Sequence, residues 1–269
     1  MNRDSLALFP MCAARDVPAV TTEQMREVDR LATEDAQLAL LQMMENAGRA
    51  LAQVVRDYAP VPLAEDEPRP AESKILVVAG KGNNGGGALA AARHLRNWGL
   101  NPEVVLNAAP GSLNAAAAHQ HHILHKDGMR PIWPGGAEFD ERFPELLESA
   151  SVVVDGLVGY GLRGALQGDS ALLVDAILDR APPAVISLDV PSGFDATTGD
   201  VYSTAIVATA TLTLALPKTG LLQGDATAAV GDLLLADIGV PHYIYARLDV
   251  SVPPDLFAPG PILRLLAEG

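Results

Sequence analysis

The chain has 269 residues, 49% of them hydrophobic, and carries 33 acidic against 19 basic side chains for a net charge of −14. That length accommodates one large α/β domain or two small ones with ample core, and the acidic balance argues against a nucleic-acid surface and an anionic membrane as partners. No apolar run reaches the roughly 18 residues of a membrane span, residues 1–20 lack the apolar core of a secretory leader, and the single Cys12 allows no internal disulfide, so a cytoplasmic protein is expected.

Residues 1–20 show no clear period and are interrupted by Pro10 and Pro18, which predicts a flexible N-terminal segment ahead of a single domain over 21–269. Thr22 reads as an N-cap, with Met25, Val28 and Leu31 on one face of the helix that follows. A second helix is predicted over 35–58, with Leu38, Leu41, Met44, Ala47, Leu51 and Val54 as its apolar stripe and Glu45 and Asn46 on a polar face. The Pro-rich acidic stretch 60–73 reads as a connector.

The run 75–79 is continuously apolar, as suits a strand covered on both faces in a parallel sheet. It enters a glycine-rich turn containing Gly80, Gly82, Gly85, Gly86 and Gly87, and helical spacing resumes from Ala88 through Leu89, Ala92 and Leu95. Glycines there let the backbone approach a ligand, and the first-turn N–H groups of the helix favour a phosphate. Gly80, Gly82 and Gly85 have dinucleotide-fingerprint spacing, yet the next strand, 102–107, ends on Asn107 where a ribose-binding acid is expected, and no P-loop is present. Asn83 and Asn84 read equally as turn residues or as carbonyl ligands to a hard cation or a ribose.

Ser112 is expected to cap a helix running to Asp127 and closed by Gly128. His121 and His125 within it have the i,i+4 spacing of a zinc pair, but with no accompanying carboxylate or cysteine a solvated face is the better reading of these and of His119 and His122. A short strand over 130–133 and a helix over 138–150 follow. The strand 151–154 ends in Asp155 and Gly156 before a second glycine-rich loop, 157–168; after a helix over 170–180, the strand 184–188 ends in Asp189. Open α/β sheets bind ligands at the C-terminal ends of their strands, so Asp155 and Asp189 are site candidates. The segment 209–216 alternates Thr with Leu or Ala, as a strand with one wetter face does, 232–238 is a further strand, and 248–252 a candidate edge strand. Strands and helices alternate without an internal repeat, which predicts an α/β fold with one doubly wound, mostly parallel sheet.

A set of short motifs, in order, resembles the NAD(P)H-hydrate epimerases, or YjeF N-terminal domains. They are Gln24-Met25-Arg26-Glu27 with Asp29, Met44-Glu45-Asn46-Ala47-Gly48, Gly82-Asn83-Asn84-Gly85-Gly86 followed by Ala91-Ala92-Arg93-His94-Leu95, Asp155-Gly156-Leu157-Val158-Gly159-Tyr160-Gly161-Leu162, Asp189-Val190-Pro191-Ser192-Gly193, Pro217-Lys218-Thr219-Gly220 and Asp237-Ile238-Gly239-Val240-Pro241. The resemblance implies a Rossmann-like three-layer α/β/α domain that interconverts the R and S epimers at C6 of hydrated NADH and NADPH, a repair step completed by a separate dehydratase. It implies Asp189 as the catalytic acid/base. Asn83, Asn84, Gly85, Gly86 and Gly87, with Gly159, Tyr160, Gly161, Leu162, Arg163, Gly164 and Ala165, are implied as the surface for the hydrated dinucleotide, together with Asp189. Asn84, Asp155 and Ser192 are implied as ligands to a potassium ion (K+), and a homodimer is the family expectation, with the N-terminal helices as candidate interface. One departure stands out: the family's turn continues Gly-Gly-Asp-Gly, whereas this chain has Gly87 at the acidic position. That departure supports an alternative, a non-catalytic binding module of the same fold; an ordinary dehydrogenase rests on the glycine spacing alone.

Overall fold

The computed structural model describes residues 9–58, 74–223 and 226–266; the expected connector 60–73 lies outside them. Eight strands form one sheet: β1 (Met11–Ala13), β2 (Ile75–Ala79), β3 (Glu103–Leu106), β4 (Val152–Gly156), β5 (Val185–Leu188), β6 (Ala210–Leu214), β7 (Asp232–Ala236) and β8 (Ile262–Leu266). Their order is β1-β8-β7-β6-β5-β4-β2-β3, and every pairing is parallel except β7 with β8. The helices are α1 (Thr22–Glu34), α2 (Leu40–Tyr58), α3 (Asn83–Asn97), α4 (Ala115–Lys126), α5 (Phe139–Ser149), α6 (Gly168–Arg180) and the short α7 (Thr227–Val230) and α8 (His242–Ala246). None of the helices among the described residues is long and apolar enough to cross a membrane.

The two-residue period of a strand sorts the apolar side chains to opposite faces. Ile75, Val77, Ala79, Val152, Val154, Ile186 and Leu188 meet α2, α3 and α4 on one face, whereas Leu76, Val78, Val105, Val153 and Val185 meet Phe139, Phe143 and Leu147 of α5 and Leu173, Val174 and Ile177 of α6 on the other. A third apolar cluster gathers Met25, Val28 and Leu31 of α1 and Ile244 of α8 against Leu233, Leu235, Leu263 and Leu265. The result is the expected three-layer, Rossmann-like α/β/α arrangement. β3 lies on one side of β2 and β4 on the other, so the chain reverses its direction of winding there, and that switch point opens a crevice at the strands' C-terminal ends.

Several boundaries depart from expectation. Met11–Ala13, in the segment expected to be loose, is a strand pairing with β8, and Val17 and Val20 are buried behind it. The cap of α1 is Thr21, which exchanges a capping box with Gln24, one residue before the expected Thr22. Helix α2 starts at Leu40 because the chain turns through Gln37 at φ 53, leaving Leu41 exposed and burying Met43 instead. Helix α3 begins at Asn83, so most of the glycines lie inside its first turns rather than in a loop before it. Asn114, accepting from the Ala117 N–H at 2.8 Å, caps α4 in place of Ser112, which sits in a 3-10 turn. The expected strand at 130–133 reduces to one bridge between Val105 and Ile132, and 248–252 is irregular; the strand beyond β7 is β8, antiparallel to it, and β1 is the edge. The Thr alternation of β6 does not mark a wet face: Thr211 and Thr213 are fully buried, Thr211 donating to the Val230 carbonyl at 2.8 Å and Thr213 accepting from Lys218 at 3.2 Å.

Candidate active site

A cavity of about 560 Å³ opens at the switch point, within the usual range for small-molecule sites. Its floor is the strand ends, through Leu188 and Asp189 after β5 and Leu214 at the end of β6; one wall is the N-terminus of α3 with Gly82, Asn83, Asn84 and Gly87; another is Leu157 to Gly161 with Arg163; and α1 and α2 close it with Met25, Arg26, Asp29, Met43 and Met44. Helix α3 begins on Gly82, an N-cap with no side-chain hydrogen bond to the first turn. Together with Arg26 and Arg163 this gives an anion a local donor set within an acidic protein.

Asp189 is held from several sides at once. It is buried and has φ +71, a left-handed conformation that costs a non-glycine residue energy and persists only where surroundings enforce it. Its amide donates to the Leu212 carbonyl at 2.7 Å, its Oδ2 accepts from the Tyr160 amide at 2.8 Å, and its Oδ1 is ion-paired with Lys218. Lys218, fully buried, also donates to the Leu214 carbonyl at 2.9 Å. The residues around it are locked by Val20, whose amide donates to the Pro217 carbonyl and whose carbonyl accepts from Thr219, both at 2.9 Å. The Lys218 ammonium lies 5.8 Å from the ring centroid of Tyr160, whose hydroxyl donates to Asp29. Burial pushes the Asp29 carboxyl up, against the Tyr160 hydrogen bond and the Lys218 charge. Burial, followed by the neighbouring Asp29 charge, pushes the Tyr160 phenol up as well.

Asp155 lies behind the cavity rather than on its wall. It is fully buried, and four donors converge on it: Ser192 Oγ at 2.6 Å, the Ser192 amide at 2.8 Å, Ser187 Oγ at 2.8 Å and the Leu157 amide at 3.3 Å. Ser192 Oγ in turn accepts from the Val158 amide at 3.0 Å, so Asp155 and Ser192 tie the loop after β4 to the turn after β5. Burial pushes the Asp155 carboxyl up, and among the described residues no cationic side chain pairs with it. Asn84 donates through Nδ2 to the Leu188 carbonyl at 3.2 Å, and its Oδ1 comes within 3.1 Å of where a Cβ on Gly159 would stand, beside Asp189 Oδ2. A buried carboxylate without a basic partner, an amide oxygen and a serine oxygen are all hard oxygen donors, the ligand chemistry that a monovalent cation takes. Among the described residues no three His, Cys, Asp or Glu side chains are grouped to hold a metal, and His121 and His125 only pack their rings 6.1 Å apart.

Of the expected binding surface, Asn83, Asn84, Gly87, Gly159, Tyr160, Gly161, Arg163 and Asp189 line the cavity. Gly85 and Gly86 do not: they are buried against protein, and a Cβ would come within 1.7 Å of the Gly80 carbonyl oxygen at Gly85 and within 2.6 Å of Met44 Cε at Gly86. Leu162, between the lining residues Gly161 and Arg163, and Gly164 and Ala165 farther along the loop are outside the lining. Gly87 lines the cavity, and a Cβ there would stand 2.9 Å from Leu188 Cδ2. The motifs contained Lys218, Asp29 and Arg26 without marking any of them as part of the site. Asn114, which donates to Asn83 Oδ1 at 2.7 Å at the cavity rim where α4 begins, has no signal in the sequence.

Residues 40–220 match the family described as YjeF-related protein N-terminus. A protein of Dehalogenimonas lykanthroporepellens named NAD(P)H-hydrate epimerase is 39% identical over 260 residues, covering 97% of this chain and 98% of its own length. One of the same name from Rhodopirellula baltica is 35% identical, covering 87% and 89%. The bifunctional NAD(P)H-hydrate repair enzyme Nnr of Moorella thermoacetica is 35% identical over 84% of this chain but only 41% of its own length. Among solved structures, that of the yeast protein ynu0 superposes with a TM-score of 0.75 at 21% identity, covering 93% of this chain and 100% of its own, a likeness of fold. With two thirds of its residues inside the family match and relatives of that identity along nearly its whole length, this chain belongs to the YjeF-related N-terminus family.

Proposed function

We infer that the chain is an NAD(P)H-hydrate epimerase, an isomerase that interconverts the R and S epimers at C6 of hydrated NADH and NADPH. The observation that carries this reading is Asp189, held by Lys218 and the Tyr160 amide in a strained backbone conformation on a cavity at the sheet's switch point, in a chain that aligns over 97% of its length with a relative of that name. C6 of the hydrate carries both a hydroxyl and the ring nitrogen, so protonating the hydroxyl, or opening and reclosing the ring, inverts the centre without a redox cofactor, and Asp189 is placed to exchange a proton there. The uncapped first turn of α3, with Arg26 and Arg163, is suited to hold the diphosphate. Asn84, Asp155 and Ser192 would hold a potassium ion, which supplies a counter-charge to the buried carboxylate. The S epimer passes to a dehydratase, and we place the reaction in the cytoplasm, with no nucleic acid or membrane involved. A homodimer through the α1–α2 end is supported by the exposed apolar side chains there, Leu40, Leu41 and the half-exposed Tyr243, whose hydroxyl donates to Asp35 at 3.2 Å.

Proton NMR on hydrated NADH whose S form has been selectively depleted tests the function. Rapid restoration of the epimer ratio is expected, faster in potassium than in a bulky organic cation. Asp189→Asn should slow it by about 100-fold or more. A ratio that relaxes no faster than in buffer overturns the reading.

A further inference from the structure

Epimerisation by departure and return of water poses a requirement that one carboxylate on one face does not meet. The leaving hydroxyl must receive a proton on one face of the ring, and the water that adds to the other face must lose one. Both oxygens of Asp189 already accept from N–H donors, Lys218 at Oδ1 and the Tyr160 amide at Oδ2, which presents Asp189 as an acceptor.

A second carboxyl faces the same cavity. Asp29 projects from α1, and its Oδ2 accepts from the Tyr160 hydroxyl, while among the described residues no hydrogen bond reaches its Oδ1. Tyr160 thus bridges the two carboxyls, gripping Asp29 with its side chain and Asp189 with its backbone. We propose that Asp29 is the second catalytic carboxyl of this site, delivering a proton from Oδ1 to the C6 hydroxyl while Asp189 serves the opposite face of the ring. This rests on the epimerase reading.

The step balances. The proton passes from Asp29 to the C6 oxygen, the C6–O bond breaks with its electron pair leaving in water, and the ring-nitrogen lone pair forms a C6–N double bond. Water then adds to the other face, the new C6–O bond forms, the π pair returns to nitrogen, and Asp189 takes the released proton. One proton has moved from Asp29 to Asp189, and turnover in the reverse direction, or exchange with solvent, restores it. The groups facing Asp29 are Arg26 of its own helix, Tyr160, Asp189, Lys218 and Tyr245 of α8. Burial, the largest influence, makes Asp29 hold its proton to higher pH than an ordinary carboxyl, as the donor of this pair must.

The pH profile of kcat/KM for hydrated NADH, with the C6 oxygen followed in ¹⁸O-water, tests the proposal. The wild-type rate should fall on the alkaline side as Asp29 deprotonates, and each inversion should bring one solvent oxygen into C6. Asp29→Asn should lower kcat/KM by about 100-fold or more and erase the alkaline limb. Tyr160→Phe keeps the carboxyl but removes a hydrogen bond that lowers its pKa, so the alkaline limb should move to higher pH. That second variant keeps the proposal falsifiable if Asp29→Asn fails to fold. Inversion without oxygen exchange, an alkaline limb that survives Asp29→Asn, or a limb unmoved by Tyr160→Phe overturns the role of Asp29 while an active wild type leaves the epimerase standing. An inactive wild type overturns the epimerase reading itself.

Discussion

At the scale of single residues the site is built around one buried ion pair. Asp189 and Lys218 are both nearly inaccessible, and the attraction between two charges in a protein interior offsets their desolvation only when each also finds further partners. Both do: the Tyr160 amide on Asp189, and Thr213 Oγ1 with the Leu214 carbonyl on Lys218. Removing one charge strands the other. Lys218→Met should therefore destabilise the protein by about 3–5 kcal/mol, read as a lowered urea midpoint, and abolish epimerisation in whatever fraction stays folded. Asp189→Asn combined with Lys218→Met should recover a large part of that stability, because neither variant site then buries an uncompensated charge. A midpoint for Lys218→Met equal to wild type would mean that the pair contributes no net stabilisation. Sequence reading reached Asp189 through the rule that strand ends carry ligands, but a lysine between Pro217 and Thr219 looks like any loop cation. Only the register that places Val20 beside it reveals that it is sealed inside.

At the scale of elements, the glycine stretch was legible as the organising feature, yet its physical meaning is divided. Strand β2, the turn and α3 follow in the expected order, and Asn83, Asn84 and Gly87 do face the cavity. Gly85 and Gly86 face the protein instead, one against the carbonyl of Gly80 and the other against Met44, because α3 must sit close on both the strand end and α2. Sequence alone does not distinguish a glycine kept for a ligand from one kept for a neighbouring backbone. A pair of alanine substitutions does. At Gly82, φ is −97 and nothing lies within 4 Å of the new methyl, so Gly82→Ala should keep the thermal midpoint within a few degrees of wild type. At Gly85 the methyl would meet a carbonyl oxygen at 1.7 Å, and backbone yields far less readily than a side chain, so Gly85→Ala should cost more than about 3 kcal/mol or prevent folding. Equal midpoints for the two variants, in thermal unfolding followed by circular dichroism, would contradict this division. The same interface explains Glu45, which reads as a polar-face residue in sequence. It pairs with Arg93 and, at 2.8 Å, with His94, tying α2 to α3 at a spacing no single-helix pattern displays.

At the scale of the whole molecule, the doubly wound centre was readable from its apolar runs, whereas the far edge was not. Strand β8 gives a short, late apolar run after an irregular stretch, and β1 is three residues flanked by Pro10; neither has the length or period that marks a strand, and both are defined by pairing, β1 with β8 and β8 with β7. That edge lies four places from β5 in the sheet, so it supports the fold without touching the chemistry, up to a boundary at Val17. Beyond that point Val17 and Val20 are buried, and Val20 brackets Lys218 with two backbone hydrogen bonds. A chain shortened to begin at Ala14 should keep its epimerase rate. It should nevertheless unfold at lower denaturant, having lost the few hydrogen bonds between β1 and β8, each worth about 0.5–1.5 kcal/mol, and the Arg264 amide bond to Pro10. Stripped of β1, the strand containing Leu263, Leu265 and Leu266 would present an unpaired parallel-pairing edge, so sedimentation velocity should show assembly beyond that of the parent chain, rising with concentration. A chain shortened further, to begin at Thr21, removes Val20 as well and should lose activity along with stability. Activity lost already on removing β1 alone would show that the edge strand reaches the site, and that the separation of scaffold from chemistry along this sheet is wrong.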